Sequence, residues 1–382
     1  MLDRHTLAKE IESLGKKLFP DTTQQILVAH EKWKKIIHDP SFEAWVHSIQ
    51  CSVLIPTWNK GLGDIVAVNA EAGSYTLLAV DGSQIYPDRH IAGVGCFLIN
   101  MGGCLLTYSA TSSAQFFSEP HVMLPDDIMQ DESAIPFTED LVDVKRGEIE
   151  LETMVKKAFA RHERFLCLCD GSLIFWNLDG KQEEVRDFFL QSYLGHLEAL
   201  YEKKALIAGY ISMPKSKELV NLVKLAFCRE RVTERFPCLS AHAQCQCDML
   251  DDLVDADILW HFLQPFQRTT LFYNQSKITE YYPAHLKPCF FYLHIGKEVV
   301  RIEIPAWVAN NPNYVDFISK VCLDQSVKGQ GYPVALAEAH EQAVVKGYDR
   351  EFFYHLIRKV GITHNVSVLH SQKSIKKRGI GI

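Results

Sequence analysis

The sequence lacks the long apolar runs that membrane proteins require. No window reaches the ~18 uninterrupted apolar residues of a membrane span, although 47% of the 382 residues are hydrophobic. The first residues, MLDRHTLAKEIESLGKKLF, form an amphipathic charged pattern without the apolar core of a signal peptide. The sequence therefore predicts a globular, cytoplasmic protein without a membrane segment, long enough to bury a large core.

Two common motifs are also absent. The chain has no Gly-x-x-x-x-Gly-Lys-Ser/Thr loop, so any use of ATP would belong to a partner. It has no Gly-x-Ser-x-Gly elbow, which disfavours a serine hydrolase. The formal net charge of -7 gives no overall attraction to nucleic acid, so contacts with DNA would have to come from local basic patches or from a partner.

Cysteine is not scarce, but its pattern excludes a disulfide framework. The 11 cysteines are odd in number and many lie in apolar segments, which predicts reduced thiols. One cluster, from Cys238 to Cys247 in CLSAHAQCQC, also contains His242 and Cys245. Its spacing is not that of the Cys-x2-4-Cys pairs of zinc fingers, and whether it binds a metal is left open.

The residues that are present divide the chain into two parts. LAKEIESLGKKLF and QQILVAHEKWKKII have helical periodicity, which predicts a helical N-terminal extension over residues 1–70 and a main domain over 71–382. From Tyr75 the pattern changes to strands. YTLLAVD, IAGVGCFLIN and GCLLTYSA predict a β-meander, with NMGG as the turn between the second and third strands.

The rest of the chain alternates between the two types of element. A long helix precedes the strand FLCLCD, and a second long helix precedes the strand ALIAGYIS. The strands TTLFYN, CFFYLHIG and VVRIEIP follow, and then helices around 313–323, 333–347 and 350–359. This order predicts an α/β fold with a mixed sheet flanked by helices. The acids also follow a recognisable order: Asp81 lies on a strand, further acids lie on the long helix, and Asp170 lies on the strand after it. This order resembles that of ribonuclease H-like nuclease cores.

Two strands run into the same tripeptide. YTLLAVDGSQ and FLCLCDGSLI each break at Asp-Gly-Ser, which predicts that Asp81 and Asp170 close their strands and that Gly82 and Gly171 turn the chain. Carboxylates on rigid strand ends suit Mg²⁺ or Mn²⁺, and a pair of such ions can hydrolyse a phosphodiester. Asp-Gly is also one of the commonest turn dipeptides, so each copy alone could be only a turn.

The helix before Asp170 offers three acids in KRGEIELET. Glu148 and Glu152 share one helix face, whereas Glu150 projects about 200 degrees away. One of them should face the core if a metal site exists, although an alternating acidic stretch is more often a solvated face.

A late segment, GYPVALAEAHEQAVV, supplies two further candidates. Tyr332 and His340 are eight residues apart, about two helical turns, so both could fall on one side of a helix. A histidine beside a metal site could bind a second ion, contact the scissile phosphate or supply a proton. The alternative is an ordinary histidine on a helix surface.

Several motifs together resemble the NurA family of nucleases, from about Tyr75 to the C-terminus. They are LLAVDGSQ, KRGEIEL, LCLCDGSL, GYISMPKSKELVNLVK, VVRIEIPAWVA, GYPVALAEAHEQAV and SQKSIKKRG. The resemblance implies a ribonuclease H-like core, a homodimer, and 5′ to 3′ exonuclease and single-strand endonuclease activity that depends on Mn²⁺, with Mg²⁺ as the alternative. It also implies partnership with HerA, a hexameric DNA-translocating ATPase, in double-strand break end resection during DNA repair.

The resemblance also assigns site residues by position. Glu150 matches the family's Arg-x-x-x-Glu pattern, and Glu148 and Glu152 are close enough to replace it after a small alignment shift. Asp81 and Asp170 would share the first ion. The full expected set, all metal ligands except the tyrosine, is Asp81, Glu150, Asp170, Tyr332 and His340.

The remaining expectations concern DNA contacts and rival functions. Candidate phosphate contacts are Lys215, Lys217, Arg301 and the tail cations from Lys373 to Arg378. For Arg301 the favoured alternative is an ion pair with Glu303 in the sheet. One rival is a non-catalytic adaptor that keeps the fold and the partner surface. The other is a small-substrate metal phosphoesterase. Cleavage polarity, the physiological metal and the role of the N-terminal helices are left open.

Overall fold

The computed structural model describes residues 2–19, 21–49, 53–87, 91–92, 95–128, 137–158, 164–229, 246–365 and 369–370. The α-helices are α1 Arg4–Leu18, α2 Thr23–Ile36, α3 Pro40–Ser48, α4 Pro125–Ile128, α5 Glu139–Lys157, α6 Glu183–Glu202, α7 Glu218–Arg229, α8 Asp255–Phe262, α9 Ala306–Ala309, α10 Pro312–Lys328, α11 Val334–Ala343 and α12 Gly347–Thr363. The strands are β1 Thr57–Trp58, β2 Ile65–Ala67, β3 Tyr75–Ile85, β4 Ile91–Ala92, β5 Phe97–Tyr108, β6 Ser113–Met123, β7 Phe165–Asp170, β8 Leu206–Ile211, β9 Gln267–Thr269, β10 Phe272–Tyr273, β11 Pro288–His294, β12 Val299–Pro305 and β13 Leu369–His370. Short 3₁₀ helices cover Trp176–Leu178, Gln246–Leu250 and Lys277–Tyr281.

A mixed sheet forms the centre of the fold. Its strand order is β1-β10-β11-β12-β8-β7-β3-β5-β6, with β2 and β9 attached and β13-β4 as a separate pair. Strands β3, β5 and β6 form an antiparallel meander, β7 and β8 then run parallel to β3, and β12 is antiparallel to β8. The predicted α/β fold with a mixed sheet flanked by helices is therefore confirmed. The order of these strands, with α4 and α5 connecting β6 to β7, is compatible with a ribonuclease H-like core.

The meander differs from the sequence prediction in one respect. NMGG is not a turn but the middle of β5, and the third strand is β6, which begins after the predicted third strand has ended. The two glycines are present because of packing. A Cβ on Gly102 would lie 2.0 Å from the backbone nitrogen of Ala343 in α11, and one on Gly103 would lie 2.3 Å from the Phe117 ring. Two glycines in a row looked like a turn, whereas a helix and an aromatic ring press against a continuous strand.

A second prediction was wrong at Asp81. The strand β3 does not close there but continues to Ile85, with Gly82 paired opposite Met101 of β5. Its parallel partner β7 does end at Asp170, as predicted. The reason for the difference is the long neighbour β5, which continues to pair with β3 after β7 has ended.

The centre of the sheet is buried on both faces because β3, β7 and β8 carry runs of consecutive apolar residues. Leu77 and Ala79 pack on the side of α10 and α11, and Leu78 and Val80 pack on the side of α5 and α6. Side chains alternate between the faces of a strand, so a continuous apolar run requires helices on both sides. Full burial of each large apolar side chain contributes about 1.5–3 kcal/mol.

The N-terminal helices contribute unequally to this core. Trp33 of α2 and Phe42 of α3 are buried in a cluster with Leu222 of α7 and Leu259 of α8. By contrast, α1 exposes its apolar residues. Strands β1 and β2, although within the predicted extension, pair with β10 and β9 of the central sheet. The division at residue 70 stays a prediction.

Two sequence features lie outside the described residues. They are the Cys238–Cys245 part of the cysteine cluster and the tail cations from Lys373 to Arg378. Within the ranges that the structure describes, no helix is both long and apolar enough to pass through a bilayer.

Candidate active site

Two neighbouring parallel strands bring Asp81 and Asp170 together. The last parallel pairs between β3 and β7 join Ala79 to Leu168 and Val80 to Cys169, so the two aspartates follow next to each other. Gly82 donates its backbone N–H to Asp81 Oδ1 at 2.7 Å. Both carboxylates line one cavity of about 300 Å³. The pairing of β3 with β7 therefore brings the two aspartates of the Asp-Gly-Ser copies together, as expected from the sequence.

The helix α5 adds Glu150 to this pair. Gly82 makes the approach feasible, because a Cβ at that position would lie 2.7 Å from Glu150 Oε1. The first Asp-Gly-Ser glycine thus makes room for a carboxylate and does not turn the chain. Both neighbouring acids are engaged elsewhere. Glu148 is buried and accepts from Lys145 at 2.9 Å and from Ser192, whereas Glu152 pairs with Lys156 at 2.8 Å on the solvent side.

The electrostatics reflect the crowding of three acids. Burial raises the pKa of Glu150 to about 7; Arg146 opposes this rise, and the carboxylates of Asp81 and Asp170 add to it. Burial also raises the pKa of Asp170, against the lowering effect of a hydrogen bond from Tyr332. Carboxylates that repel one another in a partly buried pocket are poised to bind a cation.

The helix α11 presents His340 to the acids. Its ring Nδ1 lies 2.9 Å from Asp81 Oδ2, and the imidazole is otherwise exposed to solvent. The end of the helix is tied to the sheet, because the Ala343 carbonyl accepts from Ser83 Oγ at 2.5 Å and from Asn100 Nδ2 at 2.8 Å. The serine of the first Asp-Gly-Ser copy therefore anchors the helix that carries His340.

Tyr332 reaches the other aspartate. It lies just before α11, its hydroxyl hydrogen-bonds Asp170, and its ring packs edge-on against Tyr210 with centroids 5.8 Å apart. Burial and the nearby carboxylate raise the pKa of Tyr332, so the phenol stays protonated and donates to Asp170. All five site residues expected from the sequence thus lie in one place.

The second Asp-Gly-Ser copy is a true turn. Gly171 has a φ of +125°, a conformation that side chains rarely adopt. Ser172 Oγ donates to Glu303 Oε2 at 2.7 Å and accepts from Ile174 N at 3.0 Å. The Leu173 N–H donates to the same Glu303 oxygen at 2.9 Å. Strand β12 therefore holds the loop that follows Asp170.

Sequence reasoning missed two residues that support the acids. Arg146 lies one helical turn before Glu150, with its Nε 3.5 Å from Glu150 Oε1, and its Nη1 donates to Gln84 Oε1 at 3.1 Å. Its four-residue spacing from Glu150 was visible in KRGEIE. Glu303 was expected only as a partner of Arg301, which it is, at 2.9 Å. Its contact with the loop after Asp170 had no sequence signal, since the two segments are more than 100 residues apart.

The donor set can be tested against a divalent metal. As the side chains stand, no group of three His, Cys, Asp or Glu residues in the described ranges is arranged to hold a metal ion. Each of the three carboxylates is turned instead toward a donor from the protein. The chemistry nevertheless fits Mg²⁺ or Mn²⁺, because the acids offer hard oxygen ligands. A cation would also relieve the repulsion that helps to raise the pKa of Glu150.

The described residues that were expected to contact phosphate do not line the acidic cavity but a cleft next to it. Lys215 and Lys217 line a neighbouring cleft together with Arg301. Arg301 is buried and paired with Glu218 at 2.7 Å as well as with Glu303, so it is a structural ion pair of the sheet.

Together the fold and the site define a class: α/β proteins with a mixed sheet that carry an acidic pocket where adjacent strands and a helix meet. The NurA domain profile matches residues 75–345, and the chain belongs to the NurA family.

Structural comparison shows a shared fold. The crystal structure of the NurA nuclease from Sulfolobus solfataricus matches with a TM-score of 0.55 and 14% identity, covering 95% of this chain and 98% of that one. An Argonaute from A. aeolicus matches with a TM-score of 0.26 and 8% identity, covering 70% of this chain and 27% of that one, which is too low to carry an argument. A search among curated proteins finds no match.

Proposed function

We propose that this protein is a metal-dependent deoxyribonuclease that hydrolyses phosphodiester bonds. The observation that carries the proposal is the meeting of Asp81, Glu150 and Asp170, supplied by two strands and a helix, at one cavity. Membership of the NurA family and the fold shared with the Sulfolobus nuclease support it.

The three carboxylates would hold Mn²⁺, or Mg²⁺ in its place. Bound there, such ions lower the pKa of water and stabilise the negative charge that develops on a phosphodiester. The role of the carboxylates is to supply oxygens from rigid elements. Arg146, which contacts Glu150, offsets part of their charge, and its guanidinium is a suitable donor to a phosphate oxygen.

His340 and Tyr332 would serve the substrate side of the site. Because Asp81 holds Nδ1 of His340, the other ring nitrogen, Nε2, remains to bind a second ion or to exchange a proton with an oxygen of the scissile phosphate. The Tyr332 hydroxyl donates to Asp170 and so favours its charged form. Neither role requires the helix α11 to move, since Ser83 and Asn100 fix its end.

The finer parts of the proposal rest on family membership. They are 5′ to 3′ exonuclease and single-strand endonuclease activity, a homodimer, and joint action with a HerA-type DNA-translocating ATPase in the resection of double-strand breaks in the cytoplasm. The net charge of -7 is consistent with a need for a partner or a local basic surface to bring DNA to the site.

The test is cleavage by the purified protein with Mn²⁺, alone and with its ATPase partner. Substrates are labelled single-stranded DNA, duplex ends and a generic phosphomonoester. Glu150→Gln should reduce DNA cleavage by more than about 100-fold, because it removes a charged ligand. The matched control is Glu152→Gln on the same helix, whose side chain faces Lys156 and should leave the rate within about twofold.

Each alternative has its own result. Cleavage of the phosphomonoester but not of DNA would favour a small-substrate phosphoesterase. No product under any condition would favour a non-catalytic adaptor. Wild-type cleavage by Asp81→Asn would contradict the assignment of the site.

A further inference from the structure

A second cleft lies beside the acidic cavity. Its volume of about 460 Å³ falls within the range of about 300–1,000 Å³ that is usual for ligand sites. Ser172 and Trp176 line both this cleft and the acidic cavity, so the two spaces share a wall. The acids therefore lie at one end of a longer depression, and Trp176 stands where its two parts meet.

The fold holds the Trp176 ring at the surface. The side chain is 40% exposed, whereas Phe175 and Leu178 on the same turn are buried. The indole Nε1–H donates to Ser172 Oγ at 3.1 Å, and the Phe175 N–H donates to the Tyr282 hydroxyl at 2.9 Å. A single exposed aromatic residue is ordinary on a protein surface. Here the ring is fixed by its neighbours and adjoins the carboxylates.

The charges of the cleft suit a polyanion at its rim. Lys215 and Lys217 are exposed there. On the floor, the Arg301 guanidinium is shared by Glu218 and Glu303. The floor thus has one uncompensated negative charge, and the rim carries two lysines, of which Lys217 donates its Nζ to the Asp251 carbonyl. A ligand with an apolar flat face and a phosphate backbone matches this arrangement.

We propose that Trp176 is a stacking platform for an unpaired base of single-stranded DNA, and that Lys215 contacts the adjoining backbone. The cleft would hold a nucleotide next to the bond that is cut. This inference rests on the proposed nuclease function and names the residue that holds a base of the strand beside the acids. Stacking on an aromatic ring tolerates every base because each has a π-face, and a lysine supplies a point charge that does not read sequence.

The test is binding of a fluorescently labelled oligothymidylate, measured by anisotropy with Ca²⁺ in place of Mn²⁺ and with the strand verified intact afterwards. A strand of the same length made of abasic sites keeps the phosphates and removes the bases. Trp176→Ala should weaken binding of the oligothymidylate by about 5- to 150-fold. Binding of the abasic strand should change by less than about twofold, because charge contacts remain.

Two variants provide controls. Trp176→Phe keeps an aromatic face and should recover part of the affinity. Trp260→Ala removes a ring on α8 of similar exposure, 43%, that stacks against His294 of β11, and this variant should bind both strands as the wild type does.

The outcomes separate this inference from the proposed function. Wild-type affinity of Trp176→Ala for the oligothymidylate would overturn the stacking role while leaving the nuclease intact. Equal losses on both strands would also overturn it, since a base-independent effect is not stacking. A wild-type protein that neither binds nor cuts any DNA would overturn the nuclease proposal itself.

Discussion

At the scale of single residues, the site is a cluster of acids held against their mutual repulsion. Glu150 is the clearest case, because burial raises its pKa from 4.5 to about 7. Proteins commonly lose stability where they concentrate charge for binding. The neighbours Glu148 and Glu152 each have a lysine partner on the same helix.

The raised pKa of Glu150 predicts a stability change with pH. The folded chain holds this proton more tightly than the unfolded chain, so the contribution is fully present below about pH 4.5 and is lost as pH rises through about 7. The full shift corresponds to about 3 kcal/mol. In EDTA, Glu150→Gln should therefore unfold at higher urea than the wild type at pH 8, and the advantage should shrink toward pH 5. A less stable variant at pH 8 would contradict this account.

Tyr332 predicts a shift of the pH–rate profile. Its hydroxyl lowers the pKa of Asp170, so Tyr332→Phe should raise that pKa further. Metal binding requires the charged carboxylate, and the acid limb of the cleavage profile should therefore move to higher pH. The phenylalanine ring keeps the contact with Tyr210, so the melting temperature serves as the control for an intact fold. An unchanged acid limb would rule out this coupling.

At the scale of elements, the helix α11 is positioned by close packing on β5. Gly102 makes this possible, and it lies opposite Asp81 in the register of β3 with β5. Ser83 and Asn100 then fix the end of the helix with hydrogen bonds. His340 reaches Asp81 because α11 packs this closely on the sheet. A larger separation between helix and sheet would break the contact.

Gly102→Ala should therefore displace α11. The added methyl would meet the backbone of Ala343, which cannot yield as a side chain does, and the expected cost is about 1–3 kcal/mol of stability. DNA cleavage should fall by more than the loss of folded protein explains.

The matched control is Gly195→Ala in α6. A Cβ at Gly195 meets nothing within 4 Å, so this substitution should stabilise the protein by up to about 1 kcal/mol. The melting temperature and the cleavage rate are measured for both variants. Equal values for Gly102→Ala and Gly195→Ala would refute the packing argument.

At the scale of the whole molecule, the N-terminal helices separate into two kinds. In α1 the apolar residues Leu7, Ile11, Leu14 and Leu18 are 42–50% exposed. In α2 the Trp33 side chain is fully buried against the helices that cover the far part of the sheet. The first helix adds little to the core, and the second is part of it.

Removing residues 1–19 should leave the melting temperature within about 2 °C of the full chain, since no core contact is lost. Trp33→Ala should cost about 3–5 kcal/mol, as expected for a large buried aromatic side chain. Thermal denaturation of the two variants tests the contrast, and a large loss on truncation would show that α1 is structural. The mass of the truncated protein and its binding to a HerA-type ATPase then test whether α1 belongs to the proposed dimer contact or to the proposed docking surface.

The sequence by itself determined much of this protein. Apolar runs in β3 and β7 required a sheet buried on both faces, and acids at the ends of these runs pointed to Asp81 and Asp170. Both signals are local, because burial and side-chain alternation follow from a few consecutive residues. The spacing of Tyr332 and His340 in one late segment made them candidates, and the NurA resemblance matched both by position.

Only the tertiary structure decided the rest. It placed Glu150, of three closely spaced acids, beside Asp81 and Asp170, because α5 can turn only one face toward Gly82. It also showed that NMGG is part of a strand. The helix α11, which packs too closely on Gly102 to leave room for a Cβ, lies more than 200 residues later in the chain. The tertiary structure also brought Glu303 to the loop after Asp170 and Trp176 to the edge of the acids. Contacts between distant segments depend on packing in three dimensions, which no local pattern of residues encodes.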